Sequence, residues 1–431
     1  MRHVPIDPQL FITNRDRLRK LLLKNALAVI NSNDILPTNA DGTMVLRQNS
    51  DLFYLTGIEQ EETILLLCPD AADEKQREVL VLREPSEQLA IWEGHKLSKE
   101  EARKISGIQS VLWLPEFRGL FHRLMCECDH VYLNTNEHKR AVIEVETRDA
   151  RFIKDCQGQY PLHDYQRLAR LMQRLRVVKS DWEVELLKRA SAITGQGFRR
   201  VLGFVKPGVN ETEVEATFAH EFIRRGGGFA YPPIIASGDN TCVLHYLQND
   251  QVCRKGHLLL LDVAASCAHY NSDMTRTVPV SGRFTRRQKQ VYNAVLRAFR
   301  HCAGALTPGK LHKDWQKEAE QFMEKELVDL GLLTLRAIKA QDPDQPALKK
   351  YFMHGIGHPI GLDVHDVGLA TEPIRPGWVI TVEPGIYIRE EGFAVRLENT
   401  VLVGENGNID LMADIPIEAD EIEELMNCRS N

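Results

Sequence analysis

Between Phe352 and Gly368 the chain reads FMHGIGHPIGLDVHDVG, with His354, His358 and His365 set among Gly355, Gly357, Pro359 and Gly361. Imidazoles bind borderline divalent metals and donate hydrogen bonds to developing negative charge. His354 and His358 are four residues apart, the spacing of a helical two-histidine metal site. The glycines and Pro359 around them argue against a continuous helix, so the i,i+4 logic does not apply. One of these histidines suffices as a ligand, and its partners must come from elsewhere.

The partners are carboxylates in apolar surroundings. Asp262 sits inside HLLLLDVAAS, and Asp273 opens a second strand-like run in HYNSDMTRTVPV. A hairpin turning near Cys267–Ala268 would set these two acids opposite each other. Downstream, VITVEPGIYI and FAVRLENTVLV flank REEG, a turn sequence, and Glu383 and Glu398 are equidistant from Glu390–Glu391. Opposed carboxylates repel, and one neutralises unless a cation lies between them. Two such hairpins point to oxygen ligands for divalent metals. Four carboxylates offset two divalent ions, which at about 3.5–4 Å would share a carboxylate and a water. A histidine ligand biases such a site toward Mn, Co, Fe or Zn over Mg or Ca.

These residues need strands and turns to hold them. NALAVINS, ETILLLC, EVLVLRE and HVYLN are strand-length apolar runs, and charged stretches such as LSKEEARKIS between them have helical spacing. That alternation predicts a smaller α/β domain reaching to about residue 155. From about Tyr165 to Arg200 the pattern is helical, and Ser180 with Glu183 forms a capping box that starts a new helix. The domain junction falls there. A helix over about Glu211–Arg225 leads to strands up to Val280. Helices then run from about Thr285 to Leu333, and strands return from Val379 to Val403. This ordering suggests two related halves, although no repeat of fixed period is visible.

The chain has 431 residues, 43% hydrophobic and 26% charged, with a formal net charge of −6. That is the balance of a globular protein with a large core, and no basic block points to nucleic acid or anionic membrane. The longest apolar runs are too short to span a bilayer. Nine scattered cysteines suit a reducing cytosol, and Cys126 with Cys128 reads as two structural thiols. The N-terminal stretch lacks the apolar core of a signal peptide. The expected location is cytoplasmic. HGIGHPIG lacks the glycine spacing and context of a dinucleotide loop, and RRGGGFAYPP reads as a helix-ending loop. His220-Glu221 is no HExxH, and His95, His122, His130 and His163 read as surface or structural.

LDVAASCAHYNSDMTRTVPV, HGIGHPIGLDVHD, TVEPGIYI and VRLENTVLV together resemble the ordered metal-ligand blocks of the pita-bread metallopeptidases, from roughly Arg176 to the C-terminus. LRQNSDLFYLTG and AIWEGHKL resemble the N-terminal domain of the aminopeptidase P group within that family. The resemblance implies an α/β (α+β) fold: an N-terminal α/β domain over 1–165 and a C-terminal pita-bread (creatinase/aminopeptidase) catalytic domain over 176–431. It implies a dinuclear metal-dependent exopeptidase that releases the N-terminal residue from peptides with proline in second position. The alternative is a prolidase-like Xaa-Pro dipeptidase. The metals would be two divalent ions, Mn²⁺ first, with Co²⁺ or Zn²⁺ possible.

By the same resemblance Asp262, Asp273 and Glu398 would hold one ion, and Asp273, His358, Glu383 and Glu398 the other. Glu383 would also accept and return a proton. His354 and His365 would contact substrate and stabilise the tetrahedral intermediate, and His245 would stand near the substrate amine. Arg396 and Tyr387 would support substrate and ligand geometry. Trp92 corresponds to a tryptophan that reaches a neighbouring subunit's site in tetrameric members, so a homo-oligomer, dimer or tetramer, is expected. The turn between Glu383 and Glu398 is shorter than in some bacterial relatives, which implies a more open rim. Pro359 follows the ligand histidine where many members carry a bulky residue.

Overall fold

A computed structural model describes residues 5–342, 344–368 and 371–428. Residues 1–4 and 429–431, the outer ends of the two expected domains, lie outside the described residues. The chain divides into two compact units at Arg176/Val177. The helix Leu168–Arg176 therefore belongs to the first unit.

The first unit is built on a six-stranded mixed sheet. Its order is Ser110–Trp113, Glu78–Leu82, Ile64–Leu67, Ala26–Asn31, His130–Leu133 and Asp164–Arg167. The four apolar runs read from the sequence are the four central strands, and the edge strands Ser110–Trp113 and Asp164–Arg167 are not among them. Asp164–Arg167 is a strand where the pattern reads as helical from about Tyr165. Ala26–Asn31 is buried at every position, as a central strand covered on both faces must be. Leu27, Val29, Leu66, Val79 and Val81 share one core with Leu124 and Val131.

The second unit sets helices around strand pairs that carry the acidic residues. Asp181–Phe204 starts at the Ser180/Glu183 capping box, as the sequence predicts. Glu211–Arg224 and Arg286–Ala305 start the same way, at Asn210/Glu213 and Thr285/Gln288. Each box satisfies backbone donors left open in a first helical turn. Strands Ile234–Ser237, Leu258–Asp262 and Thr275–Pro279 follow the first helix pair. Val379–Val382, Gly385–Ile388, Phe393–Arg396 and Asn399–Leu402 follow the second pair, Arg286–Ala305 and His312–Asp329.

The second hairpin has the register its spacing predicts. Gly385 pairs with Arg396 and Val382 with Asn399, which brackets Glu383 and Glu398 as facing positions. The first hairpin does not. Asp262 pairs with Thr275, and the ladder closes at Cys267 and Tyr270 around a two-residue turn, Ala268–His269. Both turn residues have positive φ, 50° and 66°, the backbone of a type I′ turn, which normally selects Asn-Gly. The turn is thus one residue later than expected and the register shifts by two. Because side chains alternate with period two, Asp262 and Asp273 stay on one face as diagonal neighbours instead of directly opposed.

The candidate metal centre

The two hairpins are joined edge to edge at the acids. The Glu398 amide donates to the Thr275 carbonyl at 3.0 Å, and Thr275 Oγ1 donates to Glu398 Oε2 at 2.7 Å. Arg276 is fully buried and donates to the Glu398 carbonyl at 2.8 Å and to Asn399 Oδ1 at 2.8 Å. A buried guanidinium with this many partners fixes the strand carrying Glu398 against the strand carrying Asp273.

The histidine segment is a third strand in effect. Ile356 and His358 carbonyls accept from the Glu383 and Thr381 amides, both at 2.9 Å, and the Ile360 amide donates to Val379 at 3.1 Å. Pro359 faces Ile380 in that ladder. Gly357 is required by close approach, since a Cβ there would lie 1.9 Å from the Thr381 carbonyl oxygen. His358 Nδ1 bonds the Pro359 carbonyl at 3.0 Å. That interaction places the proton on Nδ1 and leaves Nε2 as the lone-pair donor, the usual orientation of a ligand imidazole.

Donor atoms of Asp273, His358 and Glu398 all lie within 4.8 Å of one another. His358 Nε2 is 3.4 Å from Asp273 Oδ2 and 3.8 Å from Glu383 Oε1, so Glu383 adjoins this trio. Asp262 is tied to it by Tyr231, whose hydroxyl lies 2.6 Å from Asp262 Oδ1 and 2.7 Å from Asp273 Oδ1. One phenol proton serves only one of the two carboxylates, so without a cation the other contact needs a proton on an acid. Burial, reinforced by Asp262 and Asp273, pushes the Tyr231 hydroxyl well above the ordinary phenol range.

The acids are costly without a cation. Burial raises Asp262, with Arg396 opposing and Asp273 adding to the shift. Burial raises Glu383 to about 7 against the pull of His358 and Arg396. Glu398 stands well above the ordinary range through burial, then through Asp273 and Glu383. His358 goes up as well: burial opposes its charge, but Asp273 and Glu383 outweigh that. Several acids and one oriented imidazole, collected in one place with too few protons, form a donor set that fits divalent metal.

A second hydrogen-bonded chain borders the donors. Arg396 donates to Asp262 Oδ2 at 2.6 Å, to Thr275 Oγ1 at 3.1 Å and to the Tyr387 hydroxyl at 2.9 Å. Tyr387 in turn meets His354 Nε2 at 2.8 Å, and His354 Nδ1 meets the Gly355 carbonyl at 2.8 Å. Since the carbonyl only accepts, Nδ1 carries the His354 proton and Nε2 accepts from Tyr387. Burial, then the positive Arg396, depresses His354 to about 3, so it is a neutral imidazole at physiological pH.

The five acidic and imidazole donors, Tyr231, Arg396 and His354 line one cavity of about 390 Å³, with apolar wall from Pro232, Ile234, Leu247 and Val364. His245 and His365 line it too, and the His365 ring is 4.1 Å from that of His358. Trp92 is exposed on the short helix Glu87–Glu93 of the first unit. Tyr231 is the site residue that sequence reasoning missed. It lies in the loop read only as a helix end, and its single signal was an aromatic beside Pro232-Pro233 after three glycines. Among the lesser histidines, His95, His122, His130 and His163 each have a protein partner: Glu101, Tyr160, Asp164 and the Met125 carbonyl.

The raised acids set a pH dependence for the metal-free protein. Below about pH 4.5 Glu383 is protonated both folded and unfolded and contributes nothing. Between 4.5 and about 7 the unfolded chain releases the proton while the folded one keeps it, so stability falls as pH rises, and the loss is complete above about 7. Bound metal removes this penalty and adds about 4 kcal/mol at a thousandfold excess over Kd. The gap in Tm between metal-loaded and chelated protein is expected to widen from pH 5 to pH 8. A gap that is constant over that range, or absent at pH 8, contradicts the site.

Residues 185–405 match the family profile described as Metallopeptidase family M24, and residues 11–132 match Aminopeptidase P, N-terminal domain. The chain is 32% identical to the Xaa-Pro aminopeptidase of Haemophilus influenzae, over 97% of each sequence. It is 31% identical to that of Escherichia coli, over 98% of each. Among solved structures it is similar to the aminopeptidase PepP of Pseudomonas aeruginosa, with a TM-score of 0.88 at 29% identity over 98% of both chains. It is also similar to a zinc-substituted E. coli aminopeptidase P in complex with product, with a TM-score of 0.85 at 31% identity. That match covers 98% of this chain and 99% of the other.

Proposed function

Because the chain belongs to metallopeptidase family M24, we propose that this pocket is where it performs its reaction, the metal-dependent release of an N-terminal residue that precedes proline. The observation that carries the reading is the donor trio Asp273, His358 and Glu398 within 4.8 Å, flanked by Glu383 and Asp262. Asp262, Asp273 and Glu398 would hold one ion, and Asp273, His358, Glu383 and Glu398 a second. Two divalent ions, for which we favour Mn²⁺ over Co²⁺ or Zn²⁺, supply Lewis acidity and a water nucleophile active near neutral pH.

The chain's own residues do the rest. Glu383, beside His358 at 3.8 Å, accepts a proton from the attacking water and returns it to the leaving proline nitrogen. His354 is held neutral, with its one proton on Nδ1 shared with the Gly355 carbonyl, so it donates to a developing oxyanion, without changing charge, by exchanging that carbonyl for the substrate oxygen. The chain Asp262–Arg396–Tyr387–His354 fixes that tautomer and the ring's orientation. His365 and His245 complete the polar wall, His365 as a second donor and His245 toward the substrate amine. The apolar wall suits a proline ring, whose nitrogen has no N–H to offer a β-ladder.

The chemistry is assigned to residues 176–431, and residues 1–165 to assembly. Exposed Met44, Val45, Ile91, Trp92, Val142 and Val145 in the first unit support a homo-oligomer in which Trp92 borders a neighbour's pocket. The cysteines are all free, which supports a cytoplasmic location. No helix among the described residues is long and apolar enough to cross a membrane.

The test is metal-stripped protein refilled with Mn²⁺, Co²⁺ or Zn²⁺ and offered Xaa-Pro dipeptides and Xaa-Pro-Yaa peptides. Release of the first residue from the longer peptides is expected. Turnover of dipeptides alone would replace the reading with a dipeptidase, and no turnover with any metal would end it.

A further inference from the structure

The pocket does not close at its polar wall. Leu244 also lines a second cavity of about 630 Å³, together with Asp239, Cys242, Val243, Met353 and Arg389. Met353 and Arg389 in turn line a third cavity of about 340 Å³, with Lys349, Lys350 and Glu390. Through these common residues the three cavities are neighbours in a row, a groove in outline, which starts beside His245 and His354 and ends at a basic rim.

The first stretch of the groove is mostly apolar, with Asp239 as its one acidic side chain among the described residues. Val243 is 50% exposed, and Leu244 and Met353 are half-buried. The far end is cationic, but its charges are unequal. Lys349 is engaged by Glu320 at 2.6 Å and Lys350 by Glu390 at 2.5 Å. Arg389 forms no ion pair among the described residues. It opens the one-turn helix Arg389–Glu391, which Gly392 ends at φ 69°. From this tight connection between strands Gly385–Ile388 and Phe393–Arg396, Arg389 lines both outer cavities.

An enzyme that removes a first residue must let the remainder of the peptide leave the pocket. We infer that this groove receives that remainder, with apolar side chains after the proline on Val243, Leu244 and Met353, and the terminal carboxylate on Arg389. A guanidinium matches a carboxylate with two parallel hydrogen bonds, which a lysine does not reproduce. The preferred substrates are then short peptides with an unblocked C-terminus, and the inference rests on the reaction proposed above.

The experiment uses the full metal-loaded chain and Xaa-Pro tripeptides to hexapeptides, each as free acid and as C-terminal amide. At the length that reaches Arg389, the wild type is expected to show a KM about three- to tenfold lower for the acid than for the amide. Arg389→Ala should erase that preference while kcat on the amides stays unchanged, and Arg389→Lys should keep part of it. The product peptides, titrated calorimetrically as acids and amides, should show the same dependence on Arg389. A wild type indifferent to amidation at every length overturns the groove assignment, as does an Arg389→Ala protein that keeps the preference. If neither acids nor amides are cleaved, the reaction itself is wrong, and the calorimetric comparison still decides whether Arg389 binds a carboxylate.

Discussion

Replacing Asp273 or Glu398 by alanine is expected to abolish metal loading and turnover together. Both residues are buried within the donor trio, and each is proposed to serve both ions. Losing the ions removes Lewis acidity and the activated water, worth several kcal/mol, so kcat/KM should fall by at least about a thousandfold. The same substitution should act on stability in the opposite direction. Asp273 is a leading cause of the upward shift of Glu398, so removing it relieves repulsion in the chelated protein. Asp273→Asn keeps the shape and serves as the conservative control. Metal content, kcat/KM and the Tm of chelated protein would be measured on the same preparations. A variant that keeps both its metal and its turnover would falsify the assignment.

His354→Ala is expected to lower kcat by about a hundredfold or more while leaving the metal in place, the size seen when one oxyanion donor is removed. His354 is 3.8 Å from Glu383 and is not needed as a ligand. The ligands should therefore still load, and KM should change by only a few-fold. Tyr387→Phe tests the same element from behind. It removes the hydroxyl that meets His354 Nε2 at 2.8 Å and should cost less, because the imidazole stays, with Nδ1 still on the Gly355 carbonyl, and only the Nε2 partner that orients it is lost. Loss of metal in His354→Ala, or a wild-type kcat, would show that the ring has another job.

The pita-bread domain and its N-terminal partner were legible from ordered motifs, and most strands and helices from period and capping. Ser180 with Glu183 is an example in which four residues of sequence define a helix start through local hydrogen bonds alone. The hairpin holding Glu383 and Glu398 was legible for a related reason. Its turn is short and polar, so counting outward from Glu390–Glu391 gives the observed register.

The other hairpin was not legible at the same precision. Its turn is made by Ala268 and His269 at positive φ, and neither residue announces that conformation. Only pairing along the whole ladder, from Asp262 with Thr275 to Cys267 with Tyr270, sets the register. The error still left both aspartates on the correct face, because strand side chains alternate with period two.

The sequence by itself determined which side chains could ligate metal, because carboxylates inside apolar strands and an imidazole among glycines are readable from local composition. Tertiary structure alone decided how they meet. The segment Ile356–Ile360 becomes a strand only through hydrogen bonds to Val379–Val382 and Glu383. Tyr231 reaches Asp262 and Asp273 across 31 and 42 residues of chain. Arg389 comes to share a cavity with Cys242 and Met353. Contacts of that range depend on how elements pack, and local sequence carries no record of them.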